Sequence, residues 1–202
     1  MLNNSLPITA LLAVAMLLTG CGDEPTSNKQ DAVQPDLTTD HSSNGPYSND
    51  ARTIDAINAA EITALRKQAA ADGKVLVIDC WATWCGSCVA MFPELHNAMK
   101  QHGDDVMLVS LSYDEGEKSL IQAAQFLTKH DAWHDAHLAQ AGSDAKDEIT
   151  AALSTAWDGG ALPAVFVYGP DGKTAYEMLE TRGEVADWVA EIAAAVDKAL
   201  AR

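Results

Sequence analysis

Val75-Leu76-Val77-Ile78-Asp79-Cys80-Trp81-Ala82-Thr83-Trp84-Cys85-Gly86-Ser87-Cys88 is the stretch that decides the fold. Its first four residues form an unbroken apolar run, the pattern of a strand covered on both faces at the centre of a sheet. Good helix formers follow from Cys88 to His102, with Gly103 where a C′ glycine belongs. The paired cysteines therefore sit between a buried strand and a helix that begins near Cys85. A cysteine at a helix N-terminus faces unpaired backbone N–H groups and the positive end of the dipole. Both favour thiolate over thiol, which makes Cys85 the nucleophile. Cys88 lies one turn inside and less exposed, suited to resolve a mixed disulfide formed at Cys85. Half of a zinc site is the competing reading, but zinc takes four ligands, and no second pair at this spacing exists.

Working outward, Ile54, Ile57, Ile62 and Leu65 stand at mostly helical spacing, and Asp72-Gly73 closes that segment. Val106 to Leu111 reads as a second buried strand. Glu117 to Lys129 and Asp144 to Ala156 read as helices. Ala164 to Tyr168, the turn Gly169-Pro170-Asp171-Gly172, and Lys173 to Leu179 read as strand, turn and strand. Trp188, Val189, Ile192, Val196 and Leu200 mark one face of a last helix. The alternation predicts an α/β sandwich of three layers, a central mixed sheet flanked by helices.

Val75 to Cys88 resembles the active-site strand and loop of thioredoxins. It is closer still to the TlpA/ResA-like bacterial thiol-disulfide oxidoreductases, in which Trp-Ala-Thr-Trp-Cys recurs. Two remote landmarks extend the likeness over Ile54 to Leu200. Pro93 falls five residues after Cys88, where the active-site helix carries a proline. Pro163, in Gly160-Ala161-Leu162-Pro163 just before a strand, matches the cis-proline that faces the redox disulfide. The resemblance implies a thioredoxin-like domain over residues 53–202, with no cofactor beyond a Cys85–Cys88 disulfide. Asp79 matches the buried carboxylate that handles the proton of the resolving cysteine; a solvent-facing strand end is the plainer reading. Trp84, Gly86, Ser87, Leu162 and cis-Pro163 would then form the surface that meets substrate. The backbone of Leu162 would pair with an extended client segment by strand addition. Ser87 departs from the family, standing where a proline is common, so the reduction potential does not transfer. Cys80 stands where an aromatic is usual and reads as a small buried hydrophobe or as a third redox thiol. Trp81 reads as loop shaping or core.

Ile8 to Leu18 is an apolar run too short for a stable membrane span but suited to a signal h-region. It ends in Leu18-Thr19-Gly20-Cys21, which resembles a bacterial lipobox, although Met1 to Pro7 contains no Lys or Arg. Residues 1–20 are thus expected to be a lipoprotein signal peptide, with Cys21 lipidated. Residues 21–52 are polar and acidic with little to bury, and are expected to form a disordered tether. The expected location is the cell envelope, lipid-anchored and facing the periplasm or extracytoplasmic space.

The chain has 202 residues and a formal net charge of −16. That balance argues against nucleic acid, which is held through Lys and Arg. Expected partners are protein thiols or disulfides, a membrane electron donor or acceptor, and the membrane through the lipid alone. A reductant role, as in cytochrome c maturation, follows from the resemblance. A thioredoxin-fold copper chaperone using both cysteines and a histidine is the alternative, because soft thiolates suit Cu(I). His130, His134 and His137, with Asp131 and Asp135, read as a solvated cluster rather than a metal site. His96 and His102 read as surface residues.

Overall fold

The computed structural model describes residues 54–202 apart from positions 134, 135, 180 and 182. The proposed signal peptide, Cys21, the tether and His134 lie outside the described residues.

The chain begins with β1 (Asp55–Ile57) and α1 (Ala59–Ala71). Ile54 and Ile57 are therefore not helical, contrary to the spacing. Asn58 sets the boundary: its Oδ1 accepts the N–H groups of Ala60 and Glu61 at 2.9 and 3.1 Å, and Glu61 returns the bond to the Asn58 N–H at 2.8 Å. This reciprocal cap outweighs the periodicity and starts the helix after Ile57. β2 (Val75–Trp81) follows, buried at every residue, and leads into α2 (Gly86–Lys100). Cys85 is the N-cap of α2. The helix stops short of His102; Gly103, at φ +56°, opens a short 3₁₀ turn to Asp105 instead of serving as C′.

β3 (Val106–Ser112), α3 (Glu117–Lys129) and β4 (Ala136–Ala139) come next. Then come α4 (Ser143–Leu153), β5 (Ala164–Tyr168), β6 (Thr174–Met178) and α5 (Val185–Leu200). The sheet order is β1-β4-β3-β2-β5-β6; β1, β4, β3 and β2 pair in parallel, whereas β5 pairs antiparallel with both β2 and β6. α1 packs with α4, and α2 packs with α5. The expected three-layer mixed-sheet sandwich is the observed architecture.

Side chains on β2 alternate between faces. Leu76, Ile78 and Cys80 join a cluster with Ile62, Leu111 and Phe166. Val75 and Val77 join one with Met91 and Leu95 of α2 and Ile192 and Val196 of α5. Fully burying one such aliphatic side chain stabilises by about 1.5–3 kcal/mol, so the central strand anchors both layers. Away from the cysteines, Arg66 of α1 donates to the carbonyls of Ala152 at 3.0 Å and Gly172 at 3.3 Å. Its guanidinium lies 4.2 Å from the centroid of the Tyr168 ring. One side chain thus ties α1 to the end of α4 and to the β5–β6 turn.

Candidate active site

Cys85 and Cys88 are joined by a disulfide, their Cα atoms 5.2 Å apart. The pair spans the first turn of α2, where helix N–H groups lack intrahelical acceptors. One of these, the Cys88 N–H, donates to the Cys85 sulfur at 3.2 Å. The Ser87 hydroxyl lies 3.5 Å from the same sulfur. A negative charge on Cys85 would thus meet a fixed donor, a hydroxyl within reach and the helix dipole. Cys85 is 7% exposed and Cys88 is 0% exposed, so an incoming sulfur can reach only the first. Trp84 projects beside it, 65% exposed. A side chain at Gly86 would meet no atom within 4 Å, so the surface above the bond is open there.

The loop before the disulfide is held by a residue that the sequence reading passed over. Asp114, two residues beyond β3, is buried. Its carboxylate accepts the Thr83 N–H at 2.9 Å, the Thr83 hydroxyl at 2.5 Å and the Ser112 hydroxyl at 2.9 Å. The Tyr113 N–H also donates to the Trp81 carbonyl at 2.8 Å. The end of β3 therefore clamps the turn between β2 and α2. Burial of an Asp two residues past an apolar strand was the signal, visible only once β2 and β3 are known neighbours.

Beneath the loop, Trp81 is fully buried. Its ring packs on Phe92 and Phe126 at 4.9 and 5.0 Å between centroids, and its Nε1–H donates to Ser110 at 2.7 Å. It is a core residue that also supports the loop. Leu162 precedes a cis peptide bond to Pro163, as expected. Leu162 packs against the cluster that holds both cysteines, and Pro163 is buried. Because β5 pairs with β2 from Ala164 opposite Cys80, the Leu162–Pro163 bend leaves the sheet at the end that carries the disulfide.

Asp79 is 0% exposed, so it is no solvent-facing strand end. The only ionic neighbour found for it among the described residues is His96, whose Nε2 lies 3.7 Å from its Oδ2. His96 is buried, not a surface residue; the one-sided α2 pattern around it turns this position toward β2. His102 is partly exposed, 3.9 Å from Asp197. Cys80 is fully buried within β2, paired in register with Leu111 and Ala164. Burial, and then the charge of Asp79, push its thiol well above the ordinary range.

Of the histidine cluster, His130, Asp131 and His137 are described. α3 ends at Lys129 with His130 as its cap, and Asp131 takes φ +49°, so His130 begins no further helical face. His130 packs on Phe126, 4.5 Å between centroids. His137 lies on β4 in register with Asp55. Among the described residues, no group of three or more His, Cys, Asp or Glu converges as a metal site. None of the described helices is long and apolar enough to cross a membrane.

Residues 58–125 match the thioredoxin family. The chain is 36% identical over 56 residues to thioredoxin of Alicyclobacillus acidocaldarius, covering 28% of this chain and 53% of that protein. It is 31% identical over 61 residues to the thioredoxin-like protein YneN of Bacillus subtilis, covering 30% and 36%. The matches thus span about a third to a half of these curated relatives. A thiol:disulfide interchange protein of the thioredoxin family from Chlorobium tepidum superposes with a TM-score of 0.51 at 19% identity, covering 75% of this chain and 99% of that one, which shows a shared fold. Residues 58–125 are thus similar to thioredoxin, and the sheet order, with the Cys85–Cys88 pair at the mouth of α2, gives the chain a thioredoxin-like fold.

Proposed function

We propose that the chain is an extracytoplasmic thiol-disulfide oxidoreductase of TlpA/ResA-like type that reduces disulfides in client proteins. The observation that carries the reading is the asymmetric disulfide at the α2 N-terminus: one sulfur at the surface with a backbone donor, the other enclosed. In the reduced form the Cys85 thiolate attacks a client disulfide, and one client sulfur leaves as thiolate. Cys88 loses its proton to Asp79 and attacks the Cys85 sulfur. The second client sulfur departs, and the Cys85–Cys88 bond closes. Two electrons pass to the client, and a membrane dithiol donor restores the reduced pair. Trp84, Gly86, Ser87 and the Leu162 backbone form the client surface, the last by strand addition at the Pro163 bend.

The reading places the domain outside the cytoplasm, tethered by lipid at Cys21. An apolar run ending in Leu-Thr-Gly-Cys and a polar stretch after it support this. Reduction of apocytochrome c cysteines is the client chemistry implied by the resemblance. The copper-chaperone reading gains no support, because no histidine joins Cys85 and Cys88 in a group of three ligands among the described residues. The test is equilibration with dithiol buffers of graded potential, read by mass after alkylation, followed by turnover of an insulin-type disulfide. A single two-electron transition and catalysed insulin reduction are expected. Absence of interconversion between bridged and open forms overturns the proposal.

A further inference from the structure

Among the described residues, neither oxygen of Asp79 has a hydrogen-bond partner, and the Nε2 of His96 has none either. An isolated buried carboxylate is costly, so the group placed opposite it matters. His96 sits on α2 in the row Cys88, Phe92, His96, positions i, i+4 and i+8 of one helix face. Phe92 stacks on its imidazole with 3.8 Å between centroids and an interplanar angle of 20°, which fixes the plane of the ring. The 3.7 Å gap to Asp79 exceeds a hydrogen bond by about half an ångström, a small shift for either side chain. His96 also lines a cavity of about 390 Å³, walled further by Lys74, Lys100, Asp104 and Asp131. That volume admits solvent.

We propose that His96 is a positioning and proton-relay residue, which carries protons between the enclosed Asp79 and solvent in this cavity. The proposal rests on the reading of Cys85–Cys88 as an exchange pair with Asp79 as its proton acceptor. When Cys88 attacks the mixed disulfide, its thiol proton passes to Asp79. The client sulfur leaves with the electron pair of the broken S–S bond and takes a proton from solvent. Asp79 gives its proton to His96 Nε2, and the imidazole releases one to the cavity, so charge and protons balance over the cycle. Asp79 is then ready for the reverse traffic when a donor reopens the disulfide.

Several charged groups face the imidazole. Asp79 faces it from β2, with Lys74 just ahead of that strand. Lys100 lies further along α2, and Asp104 is in the 3₁₀ turn. His130 at the end of α3 and Asp131 after it complete the set. Burial, then the charges of Lys129 and His96, hold His130 below the ordinary imidazole range. A proton on His96 therefore has Asp79 as its near countercharge, with Asp104 and Asp131 on the cavity wall.

The test has two arms. In the first, ring shifts of His96 are followed by NMR against pH in the oxidised and reduced protein, with Asp79→Asn for comparison. Coupled titration in the wild type, lost in Asp79→Asn, is expected; identical His96 curves in both proteins overturn the relay. In the second, Cys85 is loaded as its mixed disulfide with glutathione, and closure by Cys88 is timed across pH. His96→Gln should close at least about tenfold more slowly and lose one inflection. In His96→Ala, free imidazole entering the cavity should restore the rate. An unchanged profile with no rescue overturns the proposal. If His96→Ala fails to fold, His96→Gln and the NMR arm still decide. Failure of the wild type to equilibrate with dithiols instead removes the exchange reading, whatever the His96 titration shows.

Discussion

Two thiol environments lie within a few residues of each other, and they differ in what surrounds the sulfur. Cys80 belongs to a strand whose backbone groups are engaged by β3 and β5. Burial and the nearby Asp79 both oppose its ionisation. Cys85 is almost as enclosed, at 7% exposure, but its sulfur receives a helix N–H and is bonded to the Cys88 sulfur one turn away. Burial alone therefore does not separate an inert cysteine from a reactive one. The free donors of a helix start do.

The sharpest way to break that contrast is to remove the sulfurs one at a time. Cys85→Ala should abolish insulin reduction, whereas Cys88→Ala should accumulate mixed disulfides through Cys85, read by non-reducing electrophoresis. Residual turnover in the Cys85 variant would pass the nucleophile's role to another thiol. Next comes the loop that presents the pair. Asp114→Ala leaves the Thr83 N–H and the Ser112 hydroxyl without their acceptor, so stability should fall by about 2–4 kcal/mol. Urea denaturation measures it, and a loss under 0.5 kcal/mol would mean that the clamp contributes nothing.

Alkylation tests the inert half of the contrast. In the reduced native protein at pH 8, iodoacetamide should label Cys85 at least about a hundredfold faster than Cys80, and the protection should vanish in denaturant. Comparable native rates would make Cys80 a third redox thiol. Smallest is Ser87→Ala, which removes the hydroxyl 3.5 Å from the Cys85 sulfur. With one thiolate stabiliser gone, the potential should become more negative by up to about 30 mV, tenfold in the exchange constant. A shift in the opposite direction contradicts the hydroxyl's role as donor.

The same local-versus-distant distinction explains what the sequence disclosed. β2, α2, α3 and β5 each carry their own pattern: a continuous apolar run, a helix start and stop, or a strand bounded by Gly and Pro. The cysteine pair, Asp79 and Pro163 were legible because they sit within or beside those patterns. β1 and β4 were not. They are strands of three and four residues whose identity comes from pairing with each other and with β3, more than from any alternation of their own. Asp114 and His96 failed for a related reason. Asp114 acquires its role from Thr83, which lies 31 positions away in sequence. His96 faces β2 because α2 turns that face inward, and a lone polar residue on an amphipathic helix reads as exposed until its neighbours are placed.

Arg66 sets a timetable. Its two carbonyl partners stand 86 and 106 residues further along the chain, so α1 cannot be fastened until the β5–β6 turn exists. At ordinary translation rates that delay is roughly 5–20 s. For most of it, Cys80, Cys85 and Cys88 have all emerged while the sheet that conceals Cys80 still lacks β5. Correct sulfur pairing during biogenesis is therefore a race between the arrival of the C-terminal third and any oxidant that meets the chain first.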